Sequence, residues 1–406
     1  MAPTRFQKKC MAIVFRLCDG IHSGAFVFVL PDGKAVTFGR TPRRPVPRVK
    51  IQTYRFFSRI VTCGDIGLGE AYMAGEWQCD DLSGFISLLI ANRDVFSDGN
   101  PLSALAARCV NKVRHLLNRN SIPGSRKNMR RHYDLSNRFF ETFLDDSMTY
   151  SCGLFAEPDA SLEEAQRNKL RAILTKADVG PKDHLLEIGC GWGGFALEAA
   201  RTTGCRVTGI TVSRRQLAYA RRKVAAVGLA DRIDIKFCDY RRMQGRFDRI
   251  VSIEMLEAVG HGYLGAFFNC CDRLLRPGGK VVIQTITIPD QHYARYRREA
   301  DWIQKHIFPG ACIPSLTALC NAMTAHSGLV VENIESIGQH YVKTLRAWRQ
   351  RFRRHADQVS ALGFDREFAR KWNYYLALCE AGFAEKALGD LQMVLTRPDS
   401  PEAVAP

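Results

Sequence analysis

Leu185-Leu186-Glu187-Ile188-Gly189-Cys190-Gly191-Trp192-Gly193-Gly194 is the stretch that decides the fold. An apolar strand runs straight into a glycine turn, and the residues that follow, Phe195 to Thr203, read as a helix. Gly189, Gly191 and Gly194 fit G-x-G-x-x-G, in which glycines let the backbone approach a ligand and the next helix offers free N–H groups. A nucleotide-like ligand is the expected occupant.

The residues beyond the turn separate the possible cofactors. A dinucleotide site would place an acid about 20 residues after the glycines to hold a ribose. Here the second strand, Cys205 to Thr211, continues into Val212-Ser213 without one. Glu187 before the turn, a third strand ending in Asp239 and a fourth reading Phe247-Asp248-Arg249-Ile250-Val251-Ser252-Ile253 match the layout of S-adenosylmethionine methyltransferases instead. Strands are expected at 184–189, 205–211, 232–239, 247–254, 280–288, 329–337 and 389–396, mostly separated by helices. The expected fold class is α/β, a doubly wound seven-stranded class I methyltransferase sheet with ligands at the carboxyl ends of its strands.

Working outward, residues 1–100 alternate short β-like runs such as Ala25 to Leu30 with turns such as Pro31-Asp32-Gly33-Lys34, then become helical at Gly67 to Met73 and Leu82 to Ile90. They form a smaller N-terminal α+β domain, expected to engage lipid or membrane. Residues 101–131 read as a basic amphipathic linker helix, 132–397 as the catalytic domain and 398–406 as a tail. Within the catalytic domain, Asp290 to Ser327 is an insertion carrying Tyr293, Tyr296 and Trp302, of a size that shapes substrate pockets.

Composition bounds the function. The chain has 406 residues, 46% hydrophobic and 24% charged, with a formal net charge of +17. The charge is uneven: residues 1–131 hold 21 Lys or Arg against 9 Asp or Glu, and no acid lies between Gly99 and Tyr133. Such a field attracts an anionic bilayer surface, although a solvated basic linker has the same composition. Nucleic acid is not expected, because there is neither an Asn-Pro-Pro-Tyr-type motif nor an aromatic-interleaved basic strand. The 14 cysteines are scattered, without metal or disulfide spacing, so no metal is expected and a reducing cytoplasm fits. No run reaches membrane-spanning length, which makes peripheral attachment the expectation.

Taken together, these residues resemble the cyclopropane fatty acid synthase family of S-adenosylmethionine-dependent enzymes, in its longer bacterial or plant-type branch. The resemblance is carried by His132-Tyr133-Asp134-Leu135-Ser136-Asn137-Arg138-Phe139-Phe140, Met148-Thr149-Tyr150-Ser151-Cys152-Gly153, Glu187 to Gly194, Gly209 to Gln216, Glu254 to His261, Ile307-Phe308-Pro309-Gly310 and His340-Tyr341. It implies transfer of a methylene group to the cis double bond of unsaturated phospholipid acyl chains, giving cyclopropane fatty acids. The alternatives are the same fold making methyl-branched or exomethylene chains, or a non-catalytic lipid-binding homologue. A homodimer is expected by analogy with other two-domain enzymes that dock on bilayers.

Carried over residue by residue, the resemblance implies cofactor contacts at Tyr150, Ser151, Glu187, Gly189, Cys190, Gly191, Gly193, Gly194, Thr211, Gln216, Asp239, Tyr240, Arg241 and Ile253. It implies a bound bicarbonate as the base, held by Cys152, Glu257, Gln284, Ile286 and Tyr341, and it marks Cys379 as a reactive cysteine. Gln284 stands where the commoner pattern has His, and Ala258 replaces the usual His beside Glu257. Taken singly, Cys152 reads as a small buried hydrophobe, and Cys379 has no cationic neighbour in sequence to make a thiolate. An alkene is a weak nucleophile and its attack leaves a carbocation. The site is therefore expected to be closed and apolar, with Tyr293, Tyr296, Trp302 and Tyr341 offering π faces to the cation.

Overall fold

A computed structural model describes residues 2–41, 46–97 and 135–398. The expected basic helix at 101–131, the motif residues His132, Tyr133 and Asp134, and the tail beyond 398 lie outside the described residues. The chain forms two compact units, and they are not consecutive in sequence. The first gathers the described residues up to 97 with 298–307 and 348–387; the second holds the remainder.

In the first unit, β1 (Gly24–Val29), β2 (Ala35–Thr41), β3 (Arg48–Ile51) and β4 (Trp77–Cys79) form a sheet of order β2-β1-β3-β4. Phe26, Phe28, Phe56, Phe57 and Trp77 are fully or almost fully buried and pack mostly edge-to-face, giving this small unit its core. The helix Arg366–Ala384 packs on the helices Arg55–Met73 and Leu82–Ala91. Buried Glu380 accepts from Ser83 Oγ at 2.8 Å and from Arg349 Nε at 3.1 Å. Trp302 is buried here, 4.8 Å from the Tyr374 ring, in a space that Gly69 leaves: a Cβ at Gly69 would lie 2.4 Å from Trp302 Nε1. Burial of that indole draws 298–307 into the first unit, so the expected single insertion 290–327 is divided between the units.

In the second unit, β5 (His184–Ile188), β6 (Arg206–Thr211), β7 (Ile233–Phe237), β8 (Phe247–Ile253), β9 (Leu275–Thr287), β10 (Val330–Ser336) and β11 (Gly389–Thr396) form one sheet of order β10-β11-β9-β8-β5-β6-β7. The strands β9, β8, β5, β6 and β7 run parallel, and β11 and β10 are antiparallel additions at one edge. Alternation sends Leu186, Ile188, Ile250 and Ile283 into one apolar layer and Leu185, Val207, Val251 and Val282 into the other. Both faces of the central strands are therefore covered, as parallel sheets require. The chain leaves β5 toward β6 on one side and returns to β8 on the other, and the crevice at that switch point is where such sheets bind ligands.

Candidate active site

The glycine turn after β5 opens into a cleft lined by residues of Met148–Ser151, Lys169, the turn itself, Thr211, Gln216, Asp239–Arg241 and Ile253–Met255. Gly189 and Gly191 have φ of +88° and +52°, conformations in which a side chain is strained. A Cβ at Gly189 would also meet Met255 Cγ at 2.9 Å, whereas one at Gly191 would meet nothing within 4 Å and would enter the cleft. The helix Gly194–Thr203 starts directly behind this turn, leaving the N–H groups of its first turn free of helical partners.

Polar groups around the cleft are arranged for a ligand of mixed character. Thr211 Oγ1 donates to Gln216 Oε1 at 2.9 Å, which leaves the Gln216 amide nitrogen as the outward donor. Asp239 is held by Arg241, whose Nε and Nη2 lie 2.8 and 2.6 Å from its two oxygens. The Tyr240 ring stands edge-on to Phe267 at 5.7 Å. Glu187 is buried, its carboxyl pushed up to about 8 by desolvation, and its Oε2 has no hydrogen-bond partner. An orphaned buried acceptor in the wall of a glycine-rich cleft fits a ligand carrying hydroxyl or ammonium groups.

A second constellation meets this cleft. Glu254, at the carboxyl end of β8, adopts φ +46°, a left-handed conformation that costs a non-glycine residue about 1–3 kcal/mol. It is held there: its N–H donates to Gln284 O at 2.7 Å. Its Oε1 accepts from Cys152 N at 2.8 Å and from Gln284 Nε2 at 2.9 Å, and its Oε2 accepts from the Tyr341 hydroxyl at 2.5 Å. The sheet register explains the rest: Ile253 on β8 and Gln392 on β11 flank Gln284, and Asp390 faces Ile286. Lys176 Nζ donates to Gln392 Oε1, Gln392 Nε2 donates to Gln284 Oε1 at 3.0 Å, and the Gln284 amino group is thereby turned toward Glu254 and, at 3.1 Å, Asp390 Oδ2. Glu257 accepts from Ile286 N at 2.5 Å and Thr285 Oγ1 at 3.0 Å.

Charge in this region is scarce on the positive side. Lys169 is fully buried, donates to Ser151 Oγ at 2.7 Å, and has its pKa lowered by burial. Desolvation raises the carboxyls of Glu254, Glu257 (to about 8) and Asp390, and the Lys169 charge opposes that rise at Glu254 and Asp390.

Cys152, Glu257, Gln284, Ile286 and Tyr341 are thus brought together as expected, but their donors are already engaged. The Cys152 N–H, the Gln284 amide and the Tyr341 hydroxyl go to Glu254, and the Ile286 N–H goes to Glu257. A bicarbonate does not fit this arrangement, because the chain's own carboxylates take its ligands. Cys379 belongs to the first unit, where burial and the charge of Asp301 push its thiol well up, so it is a neutral thiol near pH 7. Of the aromatics expected to face a cation, Tyr341 reaches the cluster. Tyr293 pairs its hydroxyl with His261 Nδ1 at 2.8 Å, the Tyr296 hydroxyl accepts from Ile313 N at 3.3 Å, and Trp302 lies in the first unit. Sequence reasoning assigned no role to Glu254, Lys169, Asp390 or Gln166, whose buried Nε2 donates to Ser151 O at 2.8 Å beside the Lys169 contact. A signal was present for two of them: Leu162, Ala165, Gln166, Lys169, Leu170 and Ile173 form one stripe of the helix Leu162–Ala177, and all are buried.

A switch-point cleft behind a glycine turn on this sheet is the class I methyltransferase architecture. The solved structure of the mycolic acid cyclopropane synthase CmaA1 complexed with SAH and CTAB is similar, with a TM-score of 0.63 at 31% identity, covering 67% of this chain and 98% of that one. The family model for mycolic acid cyclopropane synthetases matches residues 121–393, and the chain belongs to that family. Among its relatives are the tuberculostearic acid methyltransferase UfaA1 of Mycobacterium tuberculosis, 40% identical over 84% of this chain and 81% of that protein, and the cyclopropane-fatty-acyl-phospholipid synthase of Escherichia coli K12, 33% identical over 86% and 87%.

Proposed function

We propose that this protein transfers a one-carbon unit from S-adenosylmethionine to the cis double bond of an unsaturated phospholipid acyl chain. The observation that carries the reading is that Glu254 belongs to both constellations: it lines the cofactor cleft and is the carboxylate gripped by Cys152, Gln284 and Tyr341. S-adenosylmethionine supplies an electrophilic sulfonium methyl when bound. The glycine turn lets backbone approach it, Gln216 and Glu187 offer the polar contacts, and Ile253, Met255 and Val259 keep that wall of the cleft apolar. Excluding water there protects a carbocation until a base removes its proton.

The same cation has two outcomes. Loss of a proton from the new methyl with ring closure gives a cyclopropane, and a 1,2-hydride shift that brings the cation onto the methylated carbon, followed by loss of the methyl proton, gives an exomethylene chain. A saturated methyl branch requires a hydride donor in addition. The higher identity to a tuberculostearic acid methyltransferase than to a cyclopropane synthase supports keeping the second outcome.

Work at a membrane surface is supported by the first helix, Arg5–Asp19, which exposes Phe6 and Ile13 beside the exposed cations Arg5, Lys8, Lys9 and Arg16. Among the described residues no helix is long and apolar enough to cross a membrane.

The test is incubation with S-adenosylmethionine and vesicles of an anionic monounsaturated phospholipid, with the fatty acids read by mass spectrometry and proton NMR. A gain of one CH₂ with upfield ring protons establishes the cyclopropane, and vinylidene protons establish the exomethylene product. Absence of any mass gain despite cofactor binding refutes a phospholipid acyl acceptor.

A further inference from the structure

We propose that Glu254 is the built-in base of the reaction, its side-chain carboxylate serving where the family resemblance calls for a free bicarbonate. The inference rests on the one-carbon transfer reading above and specifies its proton acceptor.

Three observations single out Glu254 among the buried acids. Its two oxygens take the Cys152 N–H, one Gln284 N–H and the Tyr341 O–H, which are three of the donors expected around an external anion. It lines the cleft, whereas Glu257 and Asp390 do not. And it is held in a left-handed conformation at the carboxyl end of β8, which persists because the surrounding bonds fix it. Gln284, in place of a titratable His, suits this arrangement: an amide clamped by Gln392 offers both of its N–H groups, to Glu254 and Asp390, at every pH.

The step balances without a further reactant. The alkene π pair forms the new C–C bond as the C–S bond breaks and its electron pair leaves on sulfur as S-adenosylhomocysteine. The cation remains on the other alkene carbon. The Glu254 carboxylate takes a proton from the new methyl, and the released C–H pair closes the ring; where a hydride first shifts from the methylated carbon to the cationic one, the cation sits beside the methyl and the same pair forms the exocyclic double bond instead. Glu254 ends the step as a neutral acid. Burial raises its pKa, so it is a stronger base than an exposed carboxylate.

The test compares wild type, Glu254→Gln and Glu254→Gly in CO₂-free buffer with and without added bicarbonate. Product formation is followed on unsaturated phospholipid vesicles, and binding of ¹³C-bicarbonate is followed separately by NMR. Wild type should turn over at the same rate in both buffers and bind no ¹³C-bicarbonate. Glu254→Gln should lose roughly 10²–10⁴-fold in turnover, the usual contribution of a positioned base, while binding S-adenosylmethionine normally. Glu254→Gly, with the three donors vacated, should bind ¹³C-bicarbonate and regain turnover when it is added. Bicarbonate stimulation of wild type, ¹³C-bicarbonate binding to it, or near-normal turnover by Glu254→Gln overturns the proposal. If Glu254→Gln does not fold, the wild-type titration and the NMR binding decide alone. Absence of product from wild type in both buffers refutes the transfer reading instead, and the NMR arm still reports on the anion.

Discussion

Replacing Lys169 with Met keeps the length and apolar stem of a fully buried side chain and removes its charge. In the folded protein that ammonium holds down the carboxyls of Glu187, Glu254 and Asp390, all of which burial drives up. Removing one partner of a buried charge pair typically costs about 3–5 kcal/mol. At ~1.4 kcal/mol per pKa unit, a cost of that size corresponds to a rise of about 2–4 units in carboxyl pKa, summed over the three groups. The pH dependence has a definite sign. A carboxyl whose folded pKa is raised above the ordinary 4.5 lends stability fully below 4.5 and loses it as pH rises to the folded value. Raising the folded value further extends the loss to higher pH. Lys169→Met should therefore be nearly as stable as wild type at pH 5 and less stable by about 3 kcal/mol or more at pH 8. Urea unfolding at the two pH values, followed by circular dichroism, measures the difference. An equal loss at both, or a loss below about 1 kcal/mol at pH 8, refutes the assignment of Lys169 as the counter-charge of the cluster.

Glu257→Gln keeps an acceptor for Ile286 N and Thr285 Oγ1 but cannot ionise; since the Glu257 pKa is raised from 4.5 to about 8, the variant should gain stability relative to wild type as pH rises from 5 to 8, by up to roughly 3–5 kcal/mol in urea unfolding. A constant difference would contradict it. Tyr341→Phe removes the donor to Glu254 Oε2; at about 1.5–3 kcal/mol for a hydrogen bond to a charged group, turnover should fall roughly 10–100-fold and the acid limb of the pH–rate profile should move up, with S-adenosylmethionine affinity unchanged in calorimetry. Gly191→Val adds bulk to the open cleft at φ +52°, and calorimetry should show S-adenosylmethionine affinity reduced at least tenfold, on the order of 1.4 kcal/mol.

The strands of the second unit were legible because their information is local. Apolar runs bounded by glycine turns predict β5, β6, β8 and β11 to within a residue or so of where they lie. β9 starts earlier than expected, at Leu275, because Arg276-Pro277-Gly278-Gly279 reads as a turn in isolation yet lies within the strand. The domain boundary was not legible in the same way: residues 298–307 group with the first unit because Trp302 finds its cover against Tyr374 and Gly69, far away in sequence. The site follows the same division. The residues of the resemblance fall together, but which acid they grip depends on backbone conformation. Glu254 and Glu257 sit three residues apart at one strand end, and a motif read in one dimension names Glu257 among the ligands of a bicarbonate and gives Glu254 no role. The positive φ of Glu254 swings its carboxylate under the Cys152 N–H and the Tyr341 hydroxyl, while Glu257 is drawn to the backbone of Ile286. A left-handed glutamate carries no signature in composition or periodicity; it is stabilised by partners on β9, on the Tyr150–Gly153 segment and on the helix that begins at Gly338, none of which is local to it. The position of the proposed base is therefore specified by the fold as a whole, through contacts that no single segment of the sequence carries.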